Sequence, residues 1–285
     1  MMRVIPTLLA LLASVACAPC ALALNEYGIE GMGRVSTKAN EAGASVSADA
    51  LRIVFASDRD GRWRLWQAQL EDKRWGQPQP LPVEAGSAQR DPFLSADGRW
   101  LYFAAQGRRG WDLYRAPADA PAQAQALTAA NSSADERSPS LDEAGRLLFA
   151  SNRSGAWQLW QANADGSDAR AVSGPANASG QIHAVLALGQ RGDAVVTQVL
   201  ADGRSRLQHI WCAGGQWQQG EPLPLSFNDG QGQTQAAGRD HSMPAELLLA
   251  GSAASPRAGG LDIYRTRAPH SRGDGSCHSN TPPAP

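Results

Sequence analysis

The eleven residues Ala56–Trp66, ASDRDGRWRLW, return almost unchanged at Ala150–Trp160 as ASNRSGAWQLW. A weaker copy, AAQGRRGWDLY, occupies Ala104–Tyr114, about midway between them. Self-similarity with a period in the forties marks a repeat architecture, in which one small unit cannot bury a core alone and must stack on its neighbours. That constraint outranks any single motif.

Aligned on the ends of these segments, five units emerge: Trp63–Trp66, Trp111–Tyr114, Trp157–Trp160, Gln208–Trp211 and Leu261–Tyr264, spaced 48, 46, 51 and 53 positions apart. Before each lies a short apolar run: RIVFAS from Arg52, WLYFAA from Trp100, RLLFAS from Arg146, DAVVTQ from Asp193 and ELLLAG from Glu246. Their length and β-branched or aromatic content read as strands. SADGR (Ser95–Arg99) and DEAGR (Asp142–Arg146) place Asp and Gly where a tight hairpin needs positive φ. Upstream, DPFLS (Asp91–Ser95) and RSPSL (Arg137–Leu141) read as first strands; downstream, QPQPLP (Gln77–Pro82), QAQALT (Gln123–Thr128) and DARAVS (Asp168–Ser173) read as fourth strands. Four hairpin-linked strands per unit describe the blades of an all-β propeller. The spacing predicts five four-stranded blades, with six as the alternative count.

The ends of the chain shape this reading. Residues 1–23 carry an apolar run closing on Ala21-Leu22-Ala23, which reads as a secretory signal peptide. An uncleaved anchor or lipidation at Cys17 are the alternatives, and a membrane is a partner only in those cases. The expected location is periplasmic or secreted, with a lipid anchor as the alternative. Residues 24–43 are expected to supply the closing strand of the last blade, at 32–37, because Val35 precedes Val46 by the same interval as Leu81 precedes Pro92. Residues 44–268 then form the propeller, and 269–285 a disordered Pro/Gly-rich tail.

The cycle P-x-L-S-x-D-G-R-x-L-x-F-x-S-x-R-x-G-x-W-x-L-W resembles the WD-like repeat of TolB-type periplasmic propellers. It is carried best from Arg90 to Ser173 and shared by FASDRDG in the first unit; the last two units depart from it. The resemblance is to the propeller part only, since the family also has an N-terminal α/β domain and six blades. It implies a protein partner, an envelope protein or lipoprotein, engaged at one end of the disc.

Composition and motifs narrow the chemistry. A formal charge of −1 offers no basis for a nucleic-acid partner. No G-x-S-x-G, H-E-x-x-H or P-loop occurs, and Cys277-His278-Ser279 with His270 matches no zinc spacing, so no cofactor or metal is expected. Asp240-His241-Ser242 are sequence neighbours, which does not make a triad. The expectation is a monomeric, non-catalytic binding or scaffolding module. The alternative is a carbohydrate-binding propeller or a five-bladed glycoside hydrolase, which needs two carboxylates facing the central cavity.

Glu41, Asp91, Glu136 and Asp240 precede or begin first strands, which line the channel; they are interleaved with Arg90, Arg137 and Arg239, and these seven are the candidate binding residues. Arg90 and Arg137 hold equivalent positions, suited either to capturing one acidic ligand group or to pairing with Asp91 and Glu136 beside them. Trp63, Trp111 and Trp157 recur with the repeat, as inter-blade packing demands. The N-x-S sites at Asn131, Asn152 and Asn177 are expected in surface loops. Of the four cysteines, Cys212 and Cys277 survive cleavage and are either free thiols or a disulfide; closing a loop of that length is worth up to about 4 kcal/mol.

Overall fold

The computed structural model describes residues 26–178, 181–189, 191–228, 233–253 and 255–278. The expected signal peptide and Cys17 lie outside the described residues. Five antiparallel sheets form a five-bladed propeller. Blade one is Glu41–Val46, Arg52–Ser57, Arg64–Glu71 and Gln79–Pro80, with a small side hairpin at Arg74–Trp75. Blade two runs Gln89–Leu94, Trp100–Gln106, Trp111–Pro117 and Gln125–Ala126, and blade three Glu136–Leu141, Arg146–Ser151, Gln158–Asn163 and Arg170–Ala171. Blade four is Ile182–Ala187, Asp193–Val199, Ser205–Ala213 and Gln216–Pro222. Blade five combines Thr234–Arg239, Glu246–Gly251 and Asp262–Arg267 with Glu26–Ile29 from the start of the described chain.

The second strands are apolar at nearly every position because each blade is covered on both faces. Ile53 and Phe55 pack toward blade five with Leu248, Ala250 and Ile263, while Val54 and Ala56 pack toward blade two with Leu101 and Phe103. The cores are therefore the seams between blades. Serines stitch the first strands across those seams: Ser45 Oγ accepts from the Leu94 amide at 3.1 Å, and Ser140 Oγ from the Ala187 amide at 3.0 Å. Blades five and one come so close that a Cβ on Gly238 would sit 1.7 Å from the Ala44 carbonyl oxygen.

Register is set by a recurring clamp on the third strand. The amide oxygens of Asn131, Asn177 and Asn228 accept from the backbone N–H of Leu113, Leu159 and Leu207, and their Nδ2 groups donate to the same residues' carbonyls. Leu207 is thus the partner of Leu159, three residues earlier than the sequence alignment of blade four places it. Two of the expected surface sequons, Asn131 and Asn177, are these clamps, and Asn152 bonds Asp135 across a hairpin. In blade five Ser36 takes the clamp role, accepting from the Ile263 amide at 3.0 Å.

The closing strand also needs correction. It is Glu26–Ile29, paired with Tyr264 and Thr266, and not 32–37. A turn at Gly31–Arg34 follows, tied by the Arg34 and Val35 amides to the Gly31 carbonyl, and it delivers buried Val35 and Ser36 to the seam. Spacing had located the clamp rather than the strand. Closure removes the edge that an open ring would present.

The tail from 269 to 278 is docked where disorder was expected. Cys277 is joined to Cys212 by a disulfide. Arg272 lies over the Trp211 ring at 3.7 Å, and Ser271, Arg272 and Gly273 all donate to the Asp193 carboxylate.

Candidate functional site

Each first strand carries a β-bulge at the same height, between Ala42 and Ala44, Arg90 and Phe93, Arg137 and Ser140, Ile182 and Ala184, and Thr234 and Ala237. A bulge re-aims side chains. Here the bulged residues Gly43, Asp91 and Ser138 take φ of 63°, 55° and 54° and crowd the axis. The axial void, lined by all five blades, measures about 10 Å³, which is at the lower limit for one water. No sugar ring enters it.

Just outside the bulges, equivalent positions bring Arg90, Arg137, His183 and Gln235 to one mouth of the axis. Three of these lie on a Trp of the preceding blade. Arg90 covers Trp63 at 4.0 Å, Arg137 covers Trp111 at 4.9 Å, and the His183 ring stacks on Trp157 at 4.8 Å. The repeated Trp is thus an inter-blade contact, half-buried at the mouth rather than deep in a core. Burial lowers the Arg90 guanidinium to about 10, helped by Arg137 and opposed by Asp91 and Asp58. Burial and then Arg137 also push His183 below its usual value, so it stacks as a neutral ring at pH 7.

The Arg partners differ from those beside them in sequence. Arg137 forks onto Asp91 of blade two, and Arg90 hydrogen-bonds the Gln235 side chain of blade five. Glu41 and Glu136, fully buried, sit in matching cages. Glu136 accepts from the Ser132 amide and hydroxyl and from Ser151 Oγ, and pairs with Arg153 at 3.0 Å. Glu41 does the same with Thr37, Ser57 and Arg59. Burial raises the Glu41 carboxyl against the pull of those partners. Such carboxylates anchor loops, each with its oxygens engaged by the loop and hairpin around it.

Arg239 and Asp240 do not belong to this mouth. The first strand of blade five ends at Arg239, opposite Leu247, so both residues stand at the other end of the axis. Asp240 accepts from Ser242 and pairs with Arg265 at 2.7 Å, while His241 Nε2 bonds the Leu94 carbonyl oxygen. The three neighbours point to different partners and form no triad. Among the described residues no three His, Cys, Asp or Glu side chains gather as a metal-binding group.

Sequence reasoning missed the hairpin tips around the first mouth. Arg62, Arg108, Arg109 and Arg257 are exposed there, and none forms an ion pair with a described residue. Several nearby carboxylates are taken: Asp60 by Arg64, Asp202 by Arg204, Asp58 by Asn40 and Asp135 by the Trp111 amide, while Asp112 acts on Arg109 through space. The signal available in the sequence was the run of Arg between the second and third strands of blades one and two.

No family model matches the chain, and no curated protein is similar to it. Solved structures are. A putative TolB from Agrobacterium tumefaciens superposes with a TM-score of 0.56 at 15% identity, covering 83% of this chain and 78% of that one. The likeness is to TolB propellers, and it is one of fold. TolB from Acinetobacter baumannii gives a TM-score of 0.51 at 13% identity, over 80% of this chain and 54% of its own length. A gluconolactonase from Xanthomonas campestris gives 0.50 at 14% identity, over 80% and 72%. The same fold therefore frames TolB and an enzyme, and only the site can separate such uses.

Proposed function

We propose that this propeller is a non-catalytic docking module of the bacterial cell envelope, and that its Arg90/Arg137 face binds an acidic surface of a protein partner. The observation that carries the reading is the set of four exposed arginines on the hairpin tips around that mouth, none in an ion pair with a described residue. Lys38 adds a fifth exposed cation on the same face, against Glu84 as an exposed carboxylate. Such an excess steers an anionic partner over distances near the Debye length of roughly 8 Å at physiological salt. The half-buried Trp63, Trp111 and Trp157 beneath offer the amphipathic surface that protein interfaces favour. Likeness to the TolB propellers supports the same reading, and the apolar N-terminal run supports export.

Tryptophan emission tests it, because three of the indoles line the mouth. Titration with a deca-glutamate peptide is expected to change the emission at low salt, with the change suppressed as salt rises. A deca-lysine peptide is expected to do nothing. Equal responses to both peptides, or none to either, would contradict the reading.

A further inference from the structure

On the face opposite the arginine mouth, a cleft of about 780 Å³ opens between blades four and five. One wall is the docked tail, Pro269 to Ser271. The walls mix apolar side chains, Leu188, Leu223, Leu225 and Pro244 among them, with nearly as many polar ones. Two side-chain atoms left without any hydrogen-bond partner among the described residues belong to residues lining this cleft: Arg239 Nη1 and Thr266 Oγ1.

The charges in the cleft are unequally committed. Asp193 is saturated by His209, Ser271 and two backbone amides, and Glu246 is held by Arg265 at 2.9 Å. Arg239 has no such relief. It is 8% exposed, burial lowers its pKa, and Glu143 and Asp240 reach it only through space. A buried guanidinium nitrogen with no acceptor is costly, and an acceptor that binds there recovers that cost. At the rim, Arg267 and His270 are exposed.

We infer that this cleft is a binding site for a small monocarboxylic acid with an apolar body, its carboxylate on Arg239 and Thr266 and its hydrocarbon against Leu188, Leu223 and Leu225. A single inner guanidinium matches one negative charge. The apolar part of the wall, from Leu188 and Leu223 to Leu225, gives a hydrophobic body a contact that a bare inorganic anion lacks, and the volume lies within the roughly 300–1,000 Å³ usual for small-molecule sites. The site is independent of protein docking at the other mouth.

Calorimetric titration of the full chain with hexanoate and with benzoate tests the inference, with hexylamine as the control. Both acids are expected to bind and hexylamine is not. Arg239→Gln is expected to weaken binding at least about tenfold, and Thr266→Val by about two- to fivefold. Thr266→Val is nearly isosteric, and Arg267→Gln lies on the surface, so these two keep the test valid should Arg239→Gln fold poorly; Arg267→Gln is expected to weaken binding about twofold. The inference is overturned if neither acid binds up to about 10 mM, if hexylamine binds as well as hexanoate, or if folded variants bind like the wild type.

Discussion

Arg137 of blade three donates two hydrogen bonds to Asp91 of blade two, from Nε at 2.9 Å and from Nη2 at 3.1 Å. The pair ties neighbouring blades at the axis, and the Ser138 amide adds a third donor to the same carboxylate. Charge reversal of Arg137 would set two carboxylates face to face, so the residue is structural as well as surface-facing. Asp91→Asn removes the charge yet keeps a side chain tolerant of the local φ of 55°. It is expected to cost about 2 kcal/mol in urea unfolding, reduced from the fully buried case because Arg137 is partly exposed. Asp91→Asn with Arg137→Met should cost less than the sum of the two single changes. Additive losses would show that the fork contributes nothing.

Blade two lacks the carboxylate cage and shows how to remove it. At the positions of Ser132, Glu136, Ser151 and Arg153 it carries Ala85, Gln89, Ala105 and Gly107, and Gln89 Nε2 donates instead to the Ala85 carbonyl oxygen at 2.8 Å. Glu136→Ala alone strands Arg153 and the Ser132 donors and is expected to cost about 3 kcal/mol. Importing the whole blade-two set into blade three should cost less than that single change. A quadruple variant less stable than Glu136→Ala would refute the account of the cage.

The closing strand gives a sharper test than truncation at random. Deleting residues 24–30 removes the strand on Asp262–Arg267 but leaves Ser36 on Ile263. The midpoint of thermal unfolding is expected to fall by roughly 5 °C or more. Deleting 24–37 removes the clamp as well and should fall further. Unchanged melting of the shorter deletion would mean that Glu26–Ile29 does not close the ring.

Acid should loosen the Asp193 latch on the tail, which the disulfide still holds. Burial alone would raise the Asp193 carboxyl, but the His209 ring, the Arg272 and Gly273 amides and the Ser271 hydroxyl outweigh it and hold it below the ordinary value of 3.8. A lowered folded pKa contributes stability that is complete above the unfolded value and is lost as pH falls through the folded one. Stability of the wild type is therefore expected to drop as pH falls below about 4, and Asp193→Asn to flatten that part of the profile. Parallel profiles for the two proteins would remove Asp193 from the latch.

The propeller was legible because its signals are local. Strands such as Arg146–Ser151 show their burial residue by residue, and the Asp-Gly turns lie between them. What escaped depends on contacts between blades. The Arg137–Asp91 and Arg90–Gln235 pairs join positions distant in sequence, so adjacency offered Glu136 and Asp91 as the partners instead. Arg239-Asp240 end the first strand of blade five where the sequence reading has them begin it, because that blade lacks the Pro-x-x-Ser pattern that marks the strand elsewhere. In blade four, His209-Ile210-Trp211 imitates the third-strand signature, and only the Asn228 clamp on Leu207 fixes the register.

The most direct test of docking by the arginine face is capture from an envelope extract with the face reversed. Arg62→Glu, Arg108→Glu, Arg109→Glu and Arg257→Glu together alter exposed hairpin tips, which tolerate change, and circular dichroism can verify the fold. The wild-type protein is expected to retain acidic envelope proteins at low salt and lose them as salt rises, and the four-fold variant to retain none of them. The same proteins bound equally by the folded variant would contradict the account.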